Sequence, residues 1–486
     1  MNRADPGIPG GTGLKERASS AGAANRPRIP SSATPRPTAS LRSARLLGQV
    51  RAALGMTGGA GPRSTNWQVL KHRKFRLYFA GSVISNFGTW LQNTAQVVLA
   101  YQLTHSVLAV GLVTCAQFTS PLLLGPWAAV LTHRIGTWRA LMVTQIASTM
   151  IAALLAALKL SGTLNVQWLF GCALAIGLCF TFALPAMSVT VAGLFPGSPD
   201  DPAVIEARKR AMGMDSVSYN LGRAAGPVAS VLIFTTIGFG WAFALNAGSY
   251  LLFTIVLVRL RPRGPRPAPD RSRVGNGLRI AWNEPRIMVL LLMVAAITVA
   301  ADPILVLGPA LADRFHASAD WSGIFIAALG AGNVLGSFRP SRRRPPSIRR
   351  AAAVLAMLAV TMMIFANAPS IWLSAAAAFA AGTACLLAGA SARSLLLDCG
   401  GIDEKRQAAV MAAWAVAWAG SKPIASFADG GLASLIGVRA TGILLALPAL
   451  LPALVLILLH TRNNTRNNLP GATRWSGWLA DAKGHN

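Results

Sequence analysis

Four ionisable side chains lie inside stretches that otherwise hold almost only apolar and small residues: Arg223, Asp302, Lys422 and Asp429. Arg223 is flanked by Gly222, Ala224, Ala225, Gly226 and Pro227, none of which can pair with a charge. In a membrane helix such a charge is expensive unless it faces protein or water, so it marks a functional or packing site. Its partner is either Asp215, two turns back on the same helix, or a carbonyl or carboxylate on another helix. Asp302 stands just before Pro303, and a carboxyl at membrane depth can take up and return a proton, as a proton-coupling site requires. Lys422 and Asp429 share a helix face seven residues apart. Lys422 can pair with Asp302 or with Asp429, which would make a structural ion pair instead of a proton carrier.

A second constellation is uncharged. With Ser82 as the origin and about 100° per residue, Asn86, Thr89, Asn93 and Gln96 all fall within about 40° of it. Hydrogen-bonding side chains on one helix face suit a wet pathway, where they can bind polar groups of a small molecule and release them; hydrogen bonding between helices is the alternative. Trp90 flanks the stripe and can stack on a planar ligand or simply pack. Gly222 and Gly226 are one turn apart, which allows a neighbouring helix to approach closely. Pro227 removes a backbone donor and bends the helix there.

These side chains need a scaffold that puts charges at bilayer depth, and the composition supplies one. The chain is 53% hydrophobic and only 13% charged, about half the charged fraction of an ordinary soluble domain. The net charge of +29 resembles a nucleic-acid footprint only until its distribution is read. Arginines crowd the tails and the short segments between apolar runs, the pattern of cytoplasmic loops and not of a basic binding face. Twelve candidate membrane helices follow: 75–101, 107–131, 139–159, 165–190, 211–236, 239–259, 286–312, 318–338, 351–367, 370–392, 408–434 and 439–460. Each is near the ~20 residues that a bilayer core requires.

Orientation comes from the loops. Arg261, Arg263, Arg266, Arg271, Arg273 and Arg279 follow the sixth span, and Arg339, Arg342, Arg343, Arg344, Arg349 and Arg350 follow the eighth. The opposite connections offer only Lys159, Arg314 and Arg439. Positive loops stay inside, so both termini are expected in the cytoplasm. Residues 1–70 are rich in Arg, Pro, Ser and Gly and read as a disordered basic tail without a signal-peptide core. The expected organisation is then a six-helix half over 71–260, a flexible inner linker over 261–285, a second half over 286–460 and a tail over 461–486. The five cysteines lack metal or redox spacing, no nucleotide-binding loop occurs, and neither a cofactor nor an enzymatic activity is expected.

Particular motifs carry a family resemblance. "SNFGTWLQNTAQ" (85–96) with "YQLTHSVLAVGLVTCAQF" (101–118), "SYNLGRAAGP" (218–227), "GWAFALNAGSYL" (240–251) and "GAGNVLGS" (330–337) resemble the transmembrane secretion effector branch of the major facilitator transporters, the enterobactin exporter-like and macrolide-efflux-like group. The resemblance implies an all-α polytopic fold of twelve transmembrane helices in two six-helix halves. It also implies that Gly222, Gly226 and Pro227 form a helix-five bend at the interface of the halves, which favours efflux. The branch's gating loop corresponds to "THRIGTWRA" (132–140), with His133 where an aspartate is usual, Arg134 and Arg139 retained, and Trp138 interrupting the basic run.

The expectation is a proton-coupled exporter of a small, partly lipophilic molecule such as a drug, antibiotic or siderophore. Its partners would be that substrate, protons and the lipid bilayer. It would be a monomer in the cytoplasmic (inner) membrane, with no nucleic acid bound. Uptake of a small metabolite on the same fold, or a transport-inactive membrane sensor or scaffold, are the competing expectations.

Overall fold

The computed structural model describes residues 66–198, 201–261, 272–317, 321–337, 348–399 and 404–467. The chain divides into units Met1–Thr57 and Gly58–Asn486. The first lies wholly outside the described residues, as do the expected C-terminal tail beyond 467 and the arginines at 339–344.

After a short 3-10 segment, Asn66–Lys71, the first half comprises α1 (Arg73–Thr104), α2 (Val107–Ile135), α3 (Thr137–Leu160), α4 (Val166–Gly193), α5 (Pro202–Thr236) and α6 (Phe239–Leu260). The second half comprises α7 (Ser272–Asn283), α8 (Pro285–Ala301), α9 (Pro303–Val306), α10 (Gly308–Arg314), α11 (Ser322–Ser337), α12 (Ile348–Asn367), α13 (Ile371–Cys399), α14 (Glu404–Ile436) and α15 (Val438–Asn467). Counting α8–α10 as one broken span and setting α7 aside, the described residues form twelve long helical stretches, as an all-α polytopic fold of two six-helix halves requires.

Local chemistry sets the turns. Ser106 caps α2 by accepting from Ala109 N at 3.4 Å, Asn165 caps α4 by accepting from Trp168 N at 3.0 Å, and Asp201 caps α5 ahead of Pro202. The α2–α3 turn is the single residue Gly136 at φ +97°, a conformation a side chain would strain.

Among the described residues, eight helices are long and apolar enough to cross a membrane. Outward-facing Met150, Leu232 and Leu451 are 62–68% exposed, a surface that belongs in lipid. The long helices outside those eight include α1, α5 and α14, and these carry the polar stripe, Arg223, and Lys422 with Asp429.

Two expectations need correction. The seventh span is broken at Asp302–Pro303 and again at Leu307–Gly308, because Pro303 and Pro309 have no N–H to continue the ladder. Within the expected linker, Ser272–Asn283 is an ordered helix, α7, which packs on α14. Gly277 makes that approach possible, since a Cβ there would fall 2.1 Å from the Ala409 carbonyl oxygen.

Call the end of the bundle where α1 begins the near end, and the opposite one the far end. The halves meet chiefly through α2 against α14 and α5 against α11. Their glycine contacts run from the far end to mid-depth. Gly111 abuts Ser426 and Gly430, Gly323 abuts Val231, Gly330 abuts Ala224 and Gly420 abuts Leu122. Tyr101 at the end of α1 donates to Asp313 of α10 at 3.2 Å, tying the halves at the far end.

Candidate functional site: a polar cavity beside a buried charge cluster

A cavity of about 60 Å³ opens on the inner face of the first half, with room for a few waters in this conformation. From α1 it is lined by Ser85, Asn86, Thr89, Trp90 and Asn93. Gln117 and Phe118 of α2, Gln145 and Ser148 of α3, and Phe180 of α4 complete most of the wall, with Tyr219 and Tyr250 behind. No lining side chain carries a carboxylate or a cation.

The stripe on α1 therefore divides. Asn86, Thr89, Trp90 and Asn93 reach the cavity, whereas Ser82 and Gln96 do not. Ser82 is fully buried against α5, with its hydroxyl 2.9 Å from Ser218 Oγ and donating to Asp215 at 3.3 Å. Gln96 is buried and accepts weakly from Gln92 of its own helix at 3.4 Å, which in turn accepts from Asn246 of α6 at 2.7 Å. Both ends of the stripe are thus covered, Ser82 against α5 and Gln96 beside the Gln92 link to α6. The middle stays open: Asn93 accepts from Gln117 Nε2 at 2.8 Å, and the Thr89 and Tyr250 hydroxyls pair at 2.9 Å. Gln117, Gln145, Ser148, Tyr219 and Tyr250 were not singled out from sequence. Their signal was a polar residue per turn in otherwise apolar spans.

Gly222 and Gly226 face α1, within the first half. A Cβ on Gly222 would lie 2.6 Å from the Asn86 carbonyl carbon, and one on Gly226 would lie 2.7 Å from Trp90 Cβ. This corrects the expectation of a glycine face at the interface of the halves. The interface is met by the other side of α5, through Ala224 and Arg223, and α5 remains helical through Pro227.

Arg223 does not pair with Asp215, which instead accepts from Tyr78 and Ser82 at 3.3 Å each. Its guanidinium sits 5.7 Å from the centroid of the Trp90 ring, which packs edge-on against Tyr219 at 5.8 Å. It also reaches the Cys385 thiol on α13 and faces Lys422 on α14. Arg223 thus carries the first half's charge across to the second.

Across that interface lies the charge cluster. Lys422 donates to Asp302 Oδ1, Ser426 donates to Asp302 Oδ2, and the Lys422 ammonium lies 5.4 Å from the Phe118 ring of the opposite half. Of the two partners open to Lys422, the structure selects Asp302. The break at Pro303 turns this carboxylate towards α14, where it is 1% exposed. Asp429 is fully buried, and neither of its oxygens has a hydrogen-bond partner among the described residues.

The expected gating loop is not a loop. His133 and Arg134 belong to the last turns of α2 and Arg139 to the first of α3, with only Gly136 between the helices. The side chain of His133 lies outside the described residues. Arg134 and Arg139 are exposed, and Trp138 donates to the Leu257 carbonyl of α6 at 3.2 Å, anchoring the turn.

Comparison with known proteins places this arrangement. The enterobactin exporter EntS of Shigella flexneri is 26% identical over 294 residues, covering 56% of this chain and 64% of that protein. EntS of Escherichia coli O1:K1 is 24% identical over 323 residues, 61% and 71% of the two chains. The match to the Shigella protein thus spans less than two thirds of its length. Among solved structures, a bacterial homologue of the human lysosomal transporter Spinster, inward-facing and occupied, superposes with a TM-score of 0.62 over 85% of this chain and all of that one, at 13% identity. A POT-family transporter in complex with 5-aminolevulinic acid gives 0.60 over 80% and 96%, at 12% identity. Residues 78–400, more than half of the chain, match the Major Facilitator Superfamily, and the protein belongs to that family of membrane transporters.

Proposed function

We propose that this protein is a proton-driven exporter of a small, partly lipophilic molecule with several hydrogen-bonding oxygens or nitrogens, in the chemical range of an antibiotic or siderophore. The observation that carries the reading is the cavity on the inner face of the first half. It is walled by uncharged hydrogen-bonding and aromatic side chains, and a buried Asp302–Lys422 ion pair stands across the interface. Neutral amides and hydroxyls bind a polar ligand without the desolvation cost of a fixed charge, and so allow its release. The naming of distant relatives as enterobactin exporters supports export over uptake. The charge cluster of Asp302, Lys422 and Asp429 supplies titratable groups for coupling, and rocking of the two halves supplies alternating access.

In this reading the near end faces the cytoplasm of the inner membrane, the arginine-rich connections being on that side, and the protein works as a monomer. The test is energised efflux from cells expressing the protein, using a fluorescent lipophilic dye, a panel of antibiotics and a siderophore, with and without a protonophore. Export of at least one compound that collapses with the proton gradient is the expected result. Retention of every compound whether or not the membrane is energised would sink the proposal.

A further inference from the structure

Asp429 lies seven residues beyond Lys422 on α14, about 10 Å nearer the far end. Lys422, Ser426 and Asp429 share one helix face, yet both hydrogen-bonding neighbours are committed elsewhere: Lys422 and Ser426 each donate to Asp302. Both donors are therefore engaged on Asp302, and Asp429 has neither a donor among the described residues nor exposure. An ionised carboxylate left so is far costlier than its neutral acid.

What seals Asp429 is the seam between the two halves. Next to it, a Cβ on Gly430 would fall 3.0 Å from Leu108 Cα and 3.0 Å from the Val107 carbonyl oxygen. Facing it from α2, a Cβ on Gly111 would fall 2.5 Å from the Ser426 carbonyl oxygen. The backbones touch through glycines, which closes the approach from the far end while the seam is shut. The titratable groups on the packed elements are few. Lys422 is on its own helix, Asp302 comes from the α8–α9 break, and Arg223 of α5 faces Lys422. On α2 there is the Cys115 thiol, paired with Thr119 at 3.6 Å, and on α15 the exposed Arg439. Arg286, Arg393 and Arg279 lie towards the near end of α8, α13 and α7.

We propose that Asp429 is the proton-binding carboxyl of the transport cycle. It takes up its proton from far-side water when the halves part there, and keeps it once the α2–α14 seam has closed over it. When the near end opens, the proton leaves to water admitted along α14 past Lys422, whose side chain is 20% exposed, and the carboxylate formed is then stabilised by Lys422 on the same face. Asp302 becomes the positioning partner that keeps Lys422 from neutralising Asp429 prematurely. The assignment rests on the proton-driven reading above and moves the exchangeable proton from Asp302 to Asp429.

The test is infrared difference spectroscopy of the full-length protein in nanodiscs, titrated with pH, on the wild type and on Asp429→Asn, Asp302→Asn and Gly111→Ala. A protonated-carboxyl C=O band is expected in the wild type, lost in Asp429→Asn and, because Lys422 is then free to pair with Asp429, shifted to lower pH in Asp302→Asn. In Gly111→Ala, where the added methyl pries the seam apart, the band should report proton binding weakened about tenfold, one pH unit. A band that survives in Asp429→Asn, or is absent from the wild type at every pH, overturns the assignment. A Gly111→Ala titration identical to that of the wild type overturns the role of the seam. Should the variants fail to fold, a hydrophobic carbodiimide, which adds to buried protonated carboxyls, is applied to the wild type and located by mass spectrometry. An adduct on Asp429 supports the assignment and one on Asp302 overturns it. A protein with the Asp429 band and no gradient-driven transport would retire the exporter reading alone, whereas gradient-driven export intact in Asp429→Asn would retire this one.

Discussion

The inner faces of α1 and α14 sit on opposite halves and solve opposite problems. On α1 the exposed groups are neutral: Asn86, Thr89 and Asn93 keep short, exchangeable hydrogen bonds with side chains of neighbouring helices, and Trp90 offers a flat surface. On α14 the groups are charged or ionisable: Lys422, half-buried and locked to Asp302, and Asp429, fully buried at the seam. A neutral wall can bind and release at modest energetic cost, while a buried charge resists any state in which its partner is missing. The difference teaches that ligand handling and energy coupling can be divided between the halves. Arg223 over Trp90, facing Lys422, is the side chain that touches both.

The division breaks most sharply at the ion pair. Lys422→Ala strands the fully buried Asp302 side chain and should lower stability by about 3–5 kcal/mol, seen as a large drop in Tm of the purified protein. Lys422→Ala with Asp302→Ala should recover most of that loss, and a double variant no more stable than the single one would show that the pair is not the unit assigned here. Next in size is Gly226→Ala, whose methyl would meet Trp90 Cβ at 2.7 Å. Overpacking of this kind costs about 1–3 kcal/mol, and Tm and expression level should both fall. Gly389→Ala, with nothing within 4 Å of its added Cβ, is the control: it should hold Tm or raise it through better helix propensity. Equal Tm values for the two glycine variants would contradict the close α1–α5 contact.

How much of this was legible in the sequence depended on whether the signal lay along one helix or between two. The spans, the positive loops and the outlying charges are local in the chain, and the apolar runs place the helices without reference to packing. That α1, α5 and α14 are more polar than a spanning helix should be was itself the pointer to the site. Ser82 and Gln96 show the limit. Helical spacing puts them in line with Asn86 and Asn93, but only the paths of α5 and α6 decide which members of the stripe are covered. The same holds for Lys422, whose two candidate carboxylates were equally plausible until the Pro303 break oriented one of them. The glycines of α5 carried the right geometry, since close approach was foreseen, but which helix approached was a property of the assembled half.

The smallest effects probe the neutral wall, and they sharpen the comparison because they bear on ligand affinity and not on coupling. Trp90→Ala removes a stacking surface and the indole beneath Arg223, interactions worth about 0.5–2 kcal/mol. Substrate affinity should therefore fall by about twofold to about thirtyfold in a binding or uptake-inhibition assay. Asn93→Ala removes one exchangeable hydrogen bond, to Gln117, which is worth about 0.5–1.5 kcal/mol. Asn93 lines the cavity and is only partly buried, so water can take the vacated position and Tm should scarcely move. If α1 handles ligand and α14 handles energy, Asn93→Ala will raise the substrate concentration needed for half-maximal export by up to about tenfold while leaving its dependence on the proton gradient unchanged. A variant that kept its apparent affinity and lost its gradient dependence would place coupling on the neutral face and undo the division between the halves.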